Sequence, residues 1–220
     1  MLEKTRYFKV ACRYFNYLSL FDARDMAEIM QKLGFKPLTK LPPPEFGARI
    51  GMSGYMAEIG RNLIYVDTDK QVFRVVSFDF VDISNSLNTL KLIVDEINIR
   101  YNILPNFYEL AWELTIETDK NVLEIFQKQS QNSTLLNSIN SKLALDFALF
   151  GIRMFRGTPN SPRWSDIRIE PNLNMNGRGY HIGIVYRVDD WCEFSEQVMK
   201  IPDTIKKIIE EVENESSNES

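Results

Sequence analysis

Acid–base chemistry in this chain has little to draw on. His181 is its single histidine, so a catalytic relay or an imidazole-rich metal site has one place to start. The position alternates with Ile182 and Ile184, which puts the ring on the polar side of a strand. There it serves either as a binding residue or as a solvated, hydrogen-bonded imidazole. Glu109, Glu113 and Glu117 share one face of one strand, because side chains an even number of residues apart point the same way. Paired carboxylates do acid–base work when burial raises one of them, and Glu109 with Glu113 offers oxygen ligands to a divalent cation. The competing reading is structural. Arg13, Arg153 and Arg168 lie on the polar faces of other strands and can pair with the glutamates across a sheet.

A second group is suited to recognition. Residues 156–166 (RGTPNSPRWSD) bring Arg156, Arg163 and Trp164 into one proline-stiffened connection. Arginine and tryptophan are enriched where binding energy concentrates, and connections of this kind often carry function. Together with Trp112 and His181 they form the candidate set for a ligand or partner. The plainer reading of the segment is a strand connection with Trp164 tucked onto the body. Signatures of known chemistry are missing: there is no GxxxxGK[ST], no GxSxG and no HExxH. The GRG at 177–179 precedes a strand and reads as a hairpin turn. No cofactor is implied, and an enzymatic role rests on the glutamate row and His181 alone.

Bulk properties narrow the classes further. The chain has 220 residues, 44% hydrophobic and 25% charged, with a net charge of −4 and a pI near 5.2. That is an ordinary globular composition, large enough to need no disulfide or metal staple. Proteins that live on phosphate backbones usually show a basic footprint, and this composition argues against nucleic acid. Cys12 and Cys192 are isolated from each other and from His181, the pattern of small buried hydrophobes in a reducing, cytoplasmic setting. No apolar run of membrane-spanning length and no signal segment is apparent. The end, residues 214–220, is acidic and polar and is expected to fray.

The elements that would position these residues are written twice. Residues 7–17 alternate Phe8, Val10, Cys12 and Tyr14 against Lys9, Ala11 and Arg13, and residues 107–118 alternate Tyr108, Leu110, Trp112, Leu114 and Ile116 against Glu109, Ala111 and Glu113. Each strand is followed by a helical stretch, a cluster of strands (48–59, 63–67, 72–81; 151–155, 166–171, 179–188) and an amphipathic helix (86–100; 191–213). Asp22 is placed to cap a helix that Gly34 stops, the proline-rich 36–46 is a stiff loop, and Pro202 should kink or split the last helix near Lys200. The expectation is an α+β fold. Halves at 1–103 and 104–213 form one curved antiparallel sheet with helices on one face.

This order of elements, over nearly the whole chain, resembles the plan of TATA-binding-protein-like folds and the duplicated plan of GyrI-like small-molecule-binding folds. The resemblance implies a saddle or a cleft between halves. Glutamates on the strand faces speak against a DNA saddle, while Tyr108, Trp112 and Trp164 would suit an apolar ligand cleft. The expected function is a non-enzymatic binding or assembly protein using the open sheet face or the 156–166 loop. A small-molecule sensor or carrier with a cleft between halves, and an enzyme of unrecognised type, stand as alternatives. The partner is a protein or an anionic small molecule, with no membrane, and self-assembly into a homo-oligomer stays open.

Overall fold

The alternating segments become the strands of a single sheet. The computed structural model describes residues 2–15, 22–41, 50–79 and 81–215. The strands are β1 (Leu2–Arg13), β2 (Lys36–Pro37), β3 (Ser53–Ile59), β4 (Asn62–Asp67), β5 (Val72–Asp79), β6 (Phe107–Glu117), β7 (Ile152–Arg156), β8 (Trp164–Pro171) and β9 (Gly179–Val188). They form an open nine-stranded sheet in the order β2-β3-β4-β5-β1-β6-β9-β8-β7, with antiparallel pairs throughout. The long strands β1 and β6 pair at the middle, and β5-β4-β3 and β9-β8-β7 extend from them in the same succession on either side. The two sides are unequal. Among the described residues, only the first ends in the extra edge strand β2, and only the second carries an additional helix between its first two strands. β7 ends the sheet on the other side.

Period-two alternation makes one face apolar, and the helices lie on that face. Phe8, Val10 and Cys12 of β1 and Tyr14 just beyond it are fully buried, as are Leu110 of β6, Phe73 and Val75 of β5, and Tyr180 and Ile182 of β9. Helices α1 (Ala23–Lys32), α2 (Ile83–Tyr101), α3 (Val122–Gln131), α4 (Thr134–Leu143) and α5 (Trp191–Glu215) follow the strands. Leu90, Ile93 and Ile97 of α2 and Phe194, Val198 and Ile209 of α5 close the same core, since apolar residues at helical spacing form one stripe. Asp22 caps α1 by accepting the Arg24 amide at 2.8 Å, and Gly34 beyond its end has φ +77°, the left-handed conformation glycine allows. A buried polar knot ties α2 to the first-side strands. Asn62 Oδ1 accepts from Ser77 Oγ at 2.6 Å and Ser86 Oγ at 3.1 Å, and burying such groups is tolerated because they satisfy one another.

Several expectations are adjusted by packing. Helix α5 runs unbroken from Trp191 to Glu215 with Pro202 inside it. Its apolar stripe, Phe194 to Val212, is buried against the sheet and α3, and that burial holds the helix through the missing Pro202 hydrogen bond, where a split near Lys200 is expected from sequence. Part of the proline-rich segment, Lys36–Pro37, forms the edge strand β2, a place where a missing N–H costs no ladder bond. The rest of that segment from residue 42, and residues 216–220 of the acidic tail, lie outside the described residues. No helix among the described residues is long and apolar enough to cross a membrane.

Candidate functional site

The face of the sheet on which no described helix packs carries the chemistry. Residues directly opposite in antiparallel strands share a face, so the register draws a row across it. Tyr55, Tyr65, Arg74, Ala11, Glu109, Arg187 and Trp164 follow one another from β3 to β8. Aromatic rings stand toward both ends, an arginine stands inside each, and Ala11 and Glu109 meet at the central seam. The Arg74 guanidinium lies 4.7 Å from the centre of the Tyr65 ring. Across the seam the Arg187 guanidinium lies 4.3 Å from Phe107 and 5.2 Å from Trp164. Such stacks keep a planar cation in place over an aromatic face.

Glu109 is held at the centre by two cations. It accepts from Lys9 Nζ at 3.1 Å and from Arg187 Nε at 3.1 Å, with side-chain exposures of 16% for the glutamate and 13% for each cation. Burial pushes the Glu109 carboxyl up, but the Lys9 charge and the Arg187 hydrogen bond outweigh it and hold it below the ordinary glutamate value. Its partners are not the arginines the sequence suggests. Arg153 is bound to Asp166 through Nη2 at 2.7 Å, and Arg168 lies over Gly183, where an added Cβ would meet its Nη2 at 3.3 Å. Glu113 makes no ion pair among the described residues, and no group of three or more histidine, cysteine or acidic residues there is placed to hold a metal. Replacing Glu113 by glutamine is therefore expected to change stability by about 1 kcal/mol or less. A divalent cation that raises the melting temperature of the parent protein and not of the variant overturns this expectation.

Residues 156–166 are tied to the body at two points. Arg187 Nη1 donates to the carbonyls of Pro159 at 2.7 Å and Ser161 at 3.2 Å. Arg163 forms ion pairs with Asp189 at 2.9 Å and Glu193 at 3.0 Å. Gly157 turns the chain there with φ +76°, and a Cβ on it would lie 2.4 Å from the Arg163 carbonyl oxygen, so the turn depends on glycine. Arg156 is exposed at the end of β7, opposite Ser165, on the helix-side parity. Trp164 is half-buried and opens β8 under Arg187. Its replacement by alanine is expected to cost about 1–2 kcal/mol by chemical denaturation, the loss of a partly buried ring and one cation–π contact. A loss near 4 kcal/mol would make it a core residue.

The remaining candidates lie apart from this row. Trp112 is 3% exposed on the helix side, packed edge-on to Phe8 with ring centres 5.6 Å apart, and its indole N–H donates to Thr5 Oγ1 at 3.2 Å. It lines neither of the hollows on the open face. His181 lies opposite Thr115 and Glu170 and borders a shallow cleft of about 590 Å³ shared with Lys4, Arg6, Glu117 and Glu170. Arg6 sits in a bulge of β1, where the register shifts between Thr5 and Tyr7. His181 and the Glu109 triad are therefore in different places, and no single centre gathers the acid–base residues. Sequence reading passed over Arg74, Ala11, Lys9 and Arg187. The available signal was their parity: each is a non-apolar or small residue between apolar neighbours.

A smaller hollow of about 190 Å³ lies at the seam beside the row. It is lined from one side by Ala11, Arg13, Lys70 and Arg74 and from the other by Phe107, Glu109 and Arg187. Comparison with known proteins adds no assignment for any of these residues. No protein-family model and no curated protein matches the chain. A solved rolling circle replication initiator protein from Geobacillus stearothermophilus is similar at 13% identity over 89% of this chain and 78% of that one, with a TM-score of 0.29, too low a similarity to carry an argument about fold or function.

Proposed function

We propose that the protein is a non-enzymatic binding protein whose ligand seats on the helix-free face of the sheet, centred on the seam between β1 and β6. The observation that carries this reading is the row of stacked arginines and aromatic rings, interrupted at Ala11 by a hollow that both sides of the sheet line. Rings and guanidinium groups give large contact area at small cost in lost rotamers, the composition of binding surfaces. The hollow is small for a drug-sized ligand, whose sites hold roughly 300–1,000 Å³, so it suits a compact group or one end of a larger molecule. The same face carries Glu113, Glu117, Asp166 and Glu170, and this spread of negative charge disfavours an extended polyanion.

A thermal-shift screen of anionic and neutral metabolites tests the reading, because a ligand that binds only the folded state raises its melting temperature. Hits are expected to lose their effect in Tyr65→Ala. Hits that survive that change and respond instead to Arg156→Ala and Arg163→Ala would move the site to the 156–166 loop. Hits indifferent to all of these substitutions would overturn the sheet-face assignment.

A further inference from the structure

Resting on the sheet-face reading, we infer that the hollow at the seam is a binding site for a compact, doubly charged oxyanion of the phosphate type, held by Arg13, Arg74 and Lys70. The inference begins with an asymmetry. Arg187 and Arg74 occupy equivalent places in the row, each stacked on an aromatic ring and each beside a central strand. Arg187 faces Glu109, the counter-charge it shares with Lys9. Arg74 faces Ala11, a residue with no charge to offer. The carboxylate that completes one side has no counterpart on the other, and the space where it would stand is the hollow.

The two arginines there are short of acceptors. Arg13 is opposite Val72, two residues from Arg74 on the neighbouring strand, so two like charges stand as diagonal neighbours on one face. Neither forms an ion pair with any described residue. The Nε atoms of both are buried and without a hydrogen-bond partner, a situation that native proteins rarely leave uncompensated. What holds the two cations in place is apolar: Arg13 lies over Phe15 at 4.7 Å and Arg74 over Tyr65 at 4.7 Å. Stacking of this kind fixes the guanidinium plane and leaves its edge free for an oxyanion.

Lys70 adds the third charge. The β4–β5 turn brings it to the rim, and its ammonium lies 3.6 Å from Asp67, with 68% of the side chain exposed. Asp67 is itself spoken for. Burial pushes its carboxyl up, but the Lys70 amide, the Ser53 hydroxyl and the Lys70 charge hold it below the ordinary aspartate value. The lining thus has four cationic side chains, Arg13, Lys70, Arg74 and Arg187, against one carboxylate, Glu109. With Arg187 bound to Glu109 and Lys70 to Asp67, the two charges left over, Arg13 and Arg74, match a dianion better than a single carboxylate. The volume, about 190 Å³, is about six times the roughly 30 Å³ share of one water, which holds a phosphoryl group together with a few waters or a small substituent.

The test uses the whole chain in phosphate-free buffer at fixed ionic strength. Inorganic phosphate, phenyl phosphate and acetate are titrated by isothermal calorimetry and by melting temperature, with potassium chloride as the reference. Phosphate is expected to bind and to raise the melting temperature, with acetate at least tenfold weaker. Phenyl phosphate binding tighter than phosphate identifies the phosphoryl end of an aromatic ligand as the occupant, and equal binding identifies the free anion. Arg74→Gln and Lys70→Gln are each expected to weaken phosphate at least tenfold, while Arg168→Gln, on the same face outside the hollow, leaves it unchanged. Lys70 is exposed, so its variant reports even if Arg74→Gln misfolds. Phosphate no better than chloride, or phosphate binding indifferent to both substitutions, overturns the site. If that happens while a screened ligand still depends on Tyr65, the sheet-face reading stands without it.

Discussion

Trp112→Ala is expected to lower stability by roughly 3–5 kcal/mol, the cost of truncating a large buried aromatic side chain. The indole is almost entirely enclosed on the helix side. Its removal leaves a cavity against Phe8 and strands the Thr5 hydroxyl, which loses the donor at 3.2 Å. For a chain of this size each kcal/mol moves the melting temperature by roughly 2–4 °C, so the shift is of order 10 °C. Chemical denaturation with an unchanged slope measures it. A loss below about 1 kcal/mol would show that the ring is not packed as described. The contrast with Trp164→Ala is the informative part, since the two tryptophans look alike as binding anchors in sequence and should separate by several kcal/mol.

The second large effect is at the seam. Glu109→Gln leaves Lys9 and Arg187 nearly enclosed and without their shared counter-charge, and removing one partner from such a group costs roughly 3 kcal/mol. Arg187 keeps its bonds to the Pro159 and Ser161 carbonyls, so the connection above it should loosen rather than detach. The pH dependence follows from the sign of the shift. The folded-state carboxyl is held below its unfolded value of about 4.3, so the unfolded chain binds the proton first. The contribution is complete above that value and is lost as pH falls through the lower, folded one. Denaturation curves between neutral pH and pH 3 should therefore show the parent protein and the variant converging on the acid side. Parallel curves at all pH values would remove Glu109 from the electrostatic account.

Much of the architecture was legible because it depends on short-range pattern. The parity of Phe8, Val10 and Cys12 against Lys9, Ala11 and Arg13 names the buried face of β1 directly, and Asp22 and Gly34 bracket α1 as caps and stops do. The same parity already placed Trp112 with Leu110 and Leu114 on the apolar side, and the attraction of a tryptophan as a binding residue obscured it. What the pattern could not reveal is register. Whether Glu109 meets Arg153, Arg168 or Arg187 depends on how strands far apart in sequence slide past one another, and a slip of two residues preserves every parity while exchanging every partner. Arg74 and Ala11 have no meaning until that register sets them side by side. The strands follow one another in a like succession on either side of the β1–β6 seam, but among the described residues the extra edge strand and the extra helix set the two sides apart, and a like succession does not by itself make the halves copies of one another.

The two ends of the sheet differ in what they can recruit. At one, the described edge strand has two residues, a lysine and a proline, residue types that blunt an edge against pairing. At the other, β7 presents five residues, with Phe155 largely exposed. Of these two edges β7 offers the longer row of backbone groups, so a strand added to this sheet would find more ladder partners there than at β2.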